Sequence, residues 1–467
     1  MTAFDLKIIG GRIATASDVF EAEIGVRDGR IAALGTDIGE ATRVIDASGR
    51  WVLPGGIDAH CHFDQPTGDG SVMADDFRTG TISAAFGGTT TVIPFAAQQK
   101  GQSLRAAVND YHDRARGKPV IDYAFHLIVS DPTDQVLGQE LPALIRDGYT
   151  SFKIYTTYDD LKLNDRQILD VLALARREGA MTMVHAENAD CIAWLTERLE
   201  AAGQTAPRYH AYARPPLVER EATHRAISLA ELVDVPVLIV HVSSGEAIDQ
   251  INMAQARGFR VLAETCPQYL FLTAADLGLD GFEGAKHICS PPPRDARDHD
   301  RVWTGLRNGT FQIFSSDHAP FRFDDPNGKK LHGDGAGFAH VPNGIPGVET
   351  RLPLLFSEGV GKGRISINRF VELTASGPAR IYGLAPRKGT IAVGSDADIT
   401  VWDPEREVTI TNEALHHNVD YTPYEGRRLT GWPVTVISRG EVVVEDGDLQ
   451  AQPGRGEFLP CALPQLN

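Results

Sequence analysis

The chain has 467 residues, of which 42% are hydrophobic and 23% charged, and its formal net charge at neutral pH is −17. This length exceeds what one ordinary hydrophobic core fills, so a large barrel or two domains are expected. The negative charge argues against a nucleic-acid or anionic-membrane surface, because phosphate binding requires positive charge. We therefore expect a small-molecule partner, with no nucleic acid and no membrane.

Local features disfavour further classes of protein. The first thirteen residues alternate like a β-strand and lack the basic segment and the long apolar stretch of a signal peptide. No apolar run approaches the roughly 18 residues of a membrane span. The five cysteines are never spaced as CxxC, which indicates neither a disulfide framework nor a zinc ribbon. A cytoplasmic protein is expected.

Residues 1–53 have the pattern of short strands separated by tight turns. Asp28-Gly29 is a dipeptide typical of a two-residue hairpin turn, and it lies between two alternating segments. The same pattern returns far along the chain, in 389–404 and 431–447. Because these segments contain no helices of their own, we expect the N-terminal and C-terminal strands to pair with each other.

Between these segments, apolar strands alternate with helical stretches such as 165–179 and 221–233. Strand and helix alternation over about 330 residues predicts an α/β fold with a parallel sheet, and the length suits a TIM (β/α)8 barrel with insertions. An open doubly wound sheet is the alternative, although no GxGxxG or GxxxxGK[ST] motif supports it. Strands are expected at 88–95, 149–155, 181–187, 235–244, 259–266 and 309–320.

Ionisable residues recur where the predicted strands end. His60 and His62 are two positions apart on a strand, so they point to the same side, whereas Cys61 points to the other. A lone buried lysine or histidine is usually structural, but active sites of TIM barrels are assembled at the carboxyl ends of the strands. Five strands with this feature indicate a common site. The residues in or just after the other four strands are Lys153, His185, His241 and Asp317.

Four imidazoles and one carboxylate are a suitable ligand set for Zn²⁺, Mn²⁺, Fe²⁺ or Co²⁺. Because the set exceeds what one tetrahedral ion uses, two divalent metal ions are predicted. A protonated Lys153 would repel them, whereas a neutral amine that has captured carbon dioxide becomes a carbamate with two oxygens and a negative charge. We therefore predict a carboxylated Lys153 between two ions, with His60 and His62 on the more buried one.

At these residues the sequence resembles the cyclic amidohydrolases of the amidohydrolase superfamily, specifically the dihydropyrimidinase and hydantoinase group. The resemblance runs nearly end to end, and its motifs include "PGGIDAHCHFD", "SFKIYTTY", "AETCPQYL", "SSDHAPF" and "PNGIPGVETR". It implies a TIM barrel in residues 54–383 beside a smaller β-sandwich built from both termini, 1–53 and 384–467, the latter with a C-terminal extension. It also implies a homotetramer, with Zn²⁺ as the first candidate for the metal.

The resemblance implies a role for each residue of the site. Tyr158 would stabilise an oxyanion, and Ser290 and Asn343 would contact the ring amide of the substrate through their backbone. Without the resemblance, Tyr158 would be interpreted as a packing residue, and the other two as parts of Pro/Gly turns. The implied ligands, with Lys153 shared, are His60, His62 and Asp317 for one ion and His185 and His241 for the other.

The implied activity is hydrolytic ring opening of cyclic amides, such as 5,6-dihydropyrimidines and hydantoins, to N-carbamoyl amino acids. A water held by two metal ions becomes hydroxide near neutral pH, and it would attack the ring carbonyl. Asp317 would accept its proton and pass it to the departing nitrogen. Tyr158 would stabilise the charge that develops on the carbonyl oxygen.

Other activities stay open at this point. A cyclic imide hydrolase or an allantoinase-like enzyme would use the same centre, whereas Asp64 stands where dihydroorotases carry an arginine. A non-catalytic dihydropyrimidinase-like scaffold is a remote alternative, because all six ligand positions are filled. Gln65, Thr67 and Pro94 differ from the residues common in hydantoinases, so the side-chain preference and the choice between D and L substrates are left open.

Overall fold

The first strands of the chain form one small sheet and part of another. The structure, a computed structural model, describes residues 3–466, so the extreme ends of the predicted segments 1–53 and 384–467 lie outside the described residues. The strands are β1 (Phe4–Ile9), β2 (Arg12–Ala14), β3 (Val19–Glu21), β4 (Glu23–Arg27), β5 (Arg30–Gly35), β6 (Ala41–Asp46) and β7 (Trp51–Pro54). The hairpin predicted at Asp28-Gly29 is confirmed, because β4 and β5 pair antiparallel across it.

Nine strands follow in a separate, larger sheet. They are β8 (Gly56–Cys61), β9 (Thr89–Ala97), β10 (Asp122–Tyr123), β11 (His126–Ile128), β12 (Ser151–Tyr155), β13 (Met181–His185), β14 (Val237–Ile239), β15 (Val261–Thr265) and β16 (Ile313–Phe314). Every neighbouring pair is parallel, and β10 and β11 both pair with β9, so together they fill one position. The backbone of His318 bridges Cys61 and accepts a hydrogen bond from His62 N at 2.7 Å. The predicted TIM barrel is confirmed.

The helices lie mainly between the barrel strands. They are α1 (Phe77–Phe86), α2 (Leu104–Ala115), α3 (Leu141–Arg146), α4 (Asp165–Glu178), α5 (Ala189–Ala201), α6 (Tyr209–Ala213), α7 (Pro216–Val233), α8 (Gly245–Ala256), α9 (Gln268–Phe271), α10 (Ala296–Asn308), α11 (Arg351–Leu355), α12 (Ile367–Val371) and α13 (Gly377–Ile381). Short 3₁₀ or π turns occupy Val136–Glu140, Asp276–Gly278, Glu283–His287, Phe338–His340, Phe356–Gly361, Glu372–Ser376 and Asn412–Ala414.

Local chemistry explains the bounds of α4, one of the helices predicted from the sequence. The Asn164 side chain accepts from the backbone of Gln167, whose own side chain accepts from the Asn164 backbone, and this capping box starts the helix. Gly179 ends it in the left-handed conformation at φ 74°. One face is buried through Ile168, Val171, Leu172, Leu174 and Ala175.

The last strands return to the sheets that the N-terminus began. They are β17 (Ile399–Thr409), β18 (Arg428–Ser438), β19 (Glu441–Glu445) and β20 (Asp448–Leu449). β17 pairs with β7, which confirms the predicted pairing of the two ends of the chain and gives a seven-stranded sheet. Apolar residues of this sheet and of the four-stranded sheet of β1, β4, β5 and β6 share one core. The exact domain limits stay a prediction.

Two predicted strands end earlier than expected. The strand predicted at 235–244 is β14, three residues long, and the one at 309–320 is β16, two residues long. His241 and Asp317 follow them with φ values of 38° and 49°, a left-handed conformation that strands do not adopt. These backbone turns end the strands before the polar residues. Within residues 3–466, no helix has both the length and the apolar character needed to cross a bilayer.

Candidate functional site

The first group of predicted ligands meets at the carboxyl end of the barrel. His60 Nε2 lies 3.2 Å from Asp317 Oδ1, and His62 Nε2 lies 3.5 Å from the same oxygen. Lys153 Nζ is 2.8 Å from His60 Nε2. The structure therefore brings these four side chains together, with their donor atoms facing one another.

The second group adjoins the first. His185 Nδ1 lies 2.9 Å from His241 Nε2, and the rings of His60 and His241 are 5.3 Å apart between centroids. One ligand atom from each of His60, His241 and Asp317 falls within 4.8 Å of the others, so these three can hold a metal ion. All six residues predicted as ligands thus belong to one cluster.

The outer nitrogens of three of the four imidazoles are held by acceptors. His60 Nδ1 is 2.6 Å from Glu264 Oε1, and His185 Nε2 is 2.8 Å from Glu187 Oε2. His62 Nδ1 is 2.7 Å from Gln65 Oε1. Histidines that bind metals usually donate their second N–H in this way, which fixes the tautomer and the ring orientation. The opposite nitrogens of these rings face the interior of the cluster, where they could bind a cation.

The electrostatics of the cluster also fit metal binding. Burial, followed by neighbouring positive charge, lowers the pKa values of His60, His185 and His241 well below their ordinary range. These imidazoles are therefore neutral at neutral pH, the form that binds metals. Burial lowers the pKa of Lys153 to about 8. Burial alone would raise the pKa of Asp317, but the adjacent imidazoles outweigh it and hold that pKa below its usual value.

A cavity of about 790 Å³ opens above the cluster, and three further predicted residues line it: Tyr158, Ser290 and Asn343. Burial raises the pKa of Tyr158 to about 12, so its hydroxyl keeps its proton and can donate. Within residues 3–466, Ser290 Oγ and Asn343 Oδ1 are buried without a hydrogen-bond partner. Buried polar atoms are normally paired, so unpaired atoms at a cavity wall indicate a place for a polar ligand.

Several residues of the site were not predicted from the sequence. Glu264 lies inside the apolar strand β15. A carboxylate among buried strand residues is the feature of the sequence that could have indicated its role. Glu187 comes two positions after His185, and its Oε2 accepts from Arg214 Nη1 at 2.7 Å. The Arg214 guanidinium also lies 5.4 Å from the centre of the Tyr158 ring. No local pattern around Arg214 indicated this role.

Two polar residues next to the ligands face away from the cluster. Cys61 is fully buried in the main hydrophobic core. His318 Nε2 lies 3.0 Å from Asp75 Oδ2, and its Nδ1 accepts from the backbone N–H of Gly347 at 3.0 Å. Both side chains therefore have a packing role. Each points away from the ligands next to it in sequence, as expected where successive side chains alternate between two sides in β8 and in the segment after β16.

Comparison with known proteins places the chain among its relatives. The profile described as "Amidohydrolase family" matches residues 51–443. A D-hydantoinase of Ralstonia pickettii is 47% identical over 456 residues, which are 97% of this chain and 98% of that protein. A D-hydantoinase of Geobacillus stearothermophilus is 47% identical over 458 residues, 97% of this chain and 96% of that protein. The crystal structure of dihydropyrimidinase from Brevibacillus agri NCHU1002 is similar with a TM-score of 0.95 and 44% identity, and the match covers 98% of this chain and 99% of that one.

Proposed function

The chain belongs to the amidohydrolase family, and from this premise we propose that it hydrolyses cyclic amides of the hydantoin and 5,6-dihydropyrimidine type to N-carbamoyl amino acids. The observation that supports this most is the convergence of the six predicted ligands beneath a cavity. This convergence occurs in a chain that is 47% identical to D-hydantoinases over nearly its whole length.

We propose a binuclear centre with two divalent ions, most simply Zn²⁺. The inner pair His60 and His62 would hold the first ion with Asp317, the outer pair His185 and His241 would hold the second, and a carboxylated Lys153 would be shared. The neutral buried imidazoles and their carboxylate partners support this assignment. When bound, two such cations supply an acidified water and polarise a carbonyl oxygen.

Carboxylation of Lys153 would replace a positive charge at the middle of the cluster with a negative one. The Nζ atom faces His60 Nε2 at 2.8 Å, so an ammonium there would stand among the metal ligands. Carboxylation joins the neutral amine to carbon dioxide with loss of one proton, and the product carries one negative charge. An anion between two cations attracts both of them, and this attraction offsets the repulsion between the cations.

The residues of the cavity have separable roles in ring opening. The backbone of Ser290 and Asn343 would hold the ring amide, and the protonated Tyr158 hydroxyl would donate to the carbonyl oxygen as negative charge develops there. Asp317 is ionised, so it can accept a proton from the attacking water. As the water oxygen bonds to the carbonyl carbon and the C–N bond breaks, passing that proton to the ring nitrogen gives a carboxylate and an N-carbamoyl group that ends in –NH₂.

A substrate panel tests this proposal. Purified protein supplied with Zn²⁺ is assayed with hydantoin, 5-phenylhydantoin, dihydrouracil, dihydroorotate and succinimide, and the products are identified by mass spectrometry. We expect addition of one water to hydantoins and dihydrouracil. Hydrolysis of succinimide alone would favour an imide hydrolase, and no turnover of any cyclic amide would contradict the proposal.

Two finer features are proposed with the activity. The homotetramer implied by family resemblance is tested by light scattering on a sizing column, where we expect four times the mass of one chain. Because the 47% identical relatives are named D-hydantoinases, we expect D-selective hydrolysis of racemic 5-phenylhydantoin. Chiral chromatography of the product tests this, and an excess of the L product would contradict it.

A further inference from the structure

A lysine without a carboxylate partner is buried in the loop that follows β16. Lys329 has no solvent exposure, and its Nζ donates to Ile288 O at 2.9 Å and to Pro342 O at 2.7 Å. Among residues 3–466, no carboxylate lies within ion-pair distance of its Nζ, whose two acceptors are both backbone carbonyls. A buried lysine whose amine has only carbonyl acceptors stabilises a fold less than a buried apolar side chain of similar size would. Fold stability therefore does not explain why a lysine occupies position 329.

The two carbonyls that Lys329 binds belong to the two segments that carry Ser290 and Asn343. Ile288 lies two residues before Ser290, and the Pro342 carbonyl is in the same peptide unit as the Asn343 N–H. Because a peptide unit is planar, fixing the direction of the Pro342 oxygen also fixes the direction of the Asn343 N–H. The amine thus sets the orientation of backbone that borders the cavity.

The same contacts join the two segments to each other. Gly344 N donates to Ile288 O at 3.0 Å, so one carbonyl receives both a backbone donor and the Lys329 amine. Burial lowers the pKa of Lys329 to about 7. The neutral amine has two N–H donors and the ammonium has three, so either form can bind both carbonyls.

We propose that Lys329 is a positioning residue, whose amine holds the segments 288–290 and 342–344 at the spacing that the ring amide of the substrate requires. This inference rests on the proposed function, in which Ser290 and Asn343 contact that amide. Lys329 itself would not touch the substrate. Its effect would be on substrate binding, and the bond-breaking step would change little.

Kinetics of Lys329→Met, a variant of similar length without a donor, test the proposal. Loss of two buried hydrogen bonds should raise KM for hydantoin by about tenfold to a hundredfold. The kcat value should stay within about threefold, because contacts made equally in the ground and transition states affect KM alone. Calorimetric binding of N-carbamoylglycine, the product from hydantoin, should weaken in parallel, and the zinc content should match that of the wild type.

Lys330→Met is the matched control. This neighbouring lysine pairs with Asp324 and Asp334 at 2.9 and 3.0 Å near the surface, where we place no substrate contact. Its KM should equal that of the wild type. In Lys329→Ala, ethylammonium added to the assay should lower KM by refilling the vacated position, and it should have no such effect on the wild type or on the control.

The possible outcomes separate the alternatives. An unchanged KM in Lys329→Met, or a loss of zinc and kcat together without a change in KM, would overturn the positioning role. If Lys329→Met does not fold, Lys329→Gln decides the question, because its amide nitrogen lies one bond nearer the backbone and should not reach both carbonyls: an elevated KM supports the role and a wild-type KM overturns it. Absence of wild-type turnover would instead contradict the proposed function.

Discussion

The carboxylate of Glu187 offers a direct test of how the imidazoles are held. Its Oε2 lies 2.8 Å from His185 Nε2 and accepts from Arg214 Nη1 at 2.7 Å, and all three side chains are buried. Glu187→Gln keeps the size of the side chain but removes its charge. His185 then loses the anion that raises its basicity, and Arg214 loses its buried counter-ion.

The structure sets the expected magnitude. Loss of a carboxylate behind a ligating histidine weakens metal binding by about tenfold to a hundredfold, or about 1.4 to 2.7 kcal/mol. Leaving the Arg214 guanidinium buried without an anion costs about 3 to 5 kcal/mol of folding stability. We therefore expect Glu187→Gln to bind Zn²⁺ more weakly in competition with a chelator. We also expect its metal-free form to unfold at lower urea concentration.

An exposed ion pair supplies the control. Glu246 lies 2.9 Å from Arg220, and the two side chains are 47% and 44% exposed. Glu246→Gln should change stability by less than about 1 kcal/mol and leave Zn²⁺ affinity unchanged. If Glu187→Gln behaved like this control in both measurements, the view that Glu187 orients a metal-binding imidazole would be refuted.

Three other perturbations probe separate parts of the molecule. In Tyr158→Phe, steady-state kinetics should show kcat reduced by about 10² to 10³ with little change in KM, because the lost hydroxyl acts on developing charge; an unchanged kcat would remove Tyr158 from the mechanism. Lys153→Ala should hold fewer than two ions per chain by metal analysis and keep its circular dichroism spectrum, since the change removes the bridge and not the core; two ions with full turnover would contradict the carbamate. Lys388 Nζ bonds Asp122 at 2.7 Å, and although burial raises the pKa of Asp122, the lysine charge lowers it overall. The folded pKa is then below the unfolded value of about 3.9, so the stability from this pair is present above that pH and is lost as the pH falls through the folded pKa. Lys388→Met should therefore lower the melting temperature at pH 7 by more than at about pH 3, and a deficit independent of pH would contradict this.

The barrel and its ligands were predictable because both depend on local patterns. Alternation of strands and helices indicated the fold, and β13, for example, lies within the segment predicted at 181–187. Parallel barrel strands all end on one face, so polar residues at those ends had to meet. His60 and His185 could therefore be assigned to one site although they are far apart in sequence.

The supporting residues could not be predicted in the same way. Whether Glu264 points at His60 depends on the register between barrel strands, which residue spacing within one strand does not determine. Arg214 and Lys329 lie outside regular strands, and their partners are brought close by loop conformations that lack any periodic signal. His241 and Asp317 were found, but the left-handed turns that present them were not, because such φ values are uncommon outside glycine.

A crystal structure of the Zn²⁺-supplied, active protein, measured at the zinc absorption edge, tests the central claim most directly. We predict two anomalous peaks, one among His60, His62 and Asp317 and the other beside His185 and His241, with electron density for a carboxylated Lys153 between them. A single peak or none, beside an unmodified lysine amine in protein that still turns over hydantoin, would contradict the account.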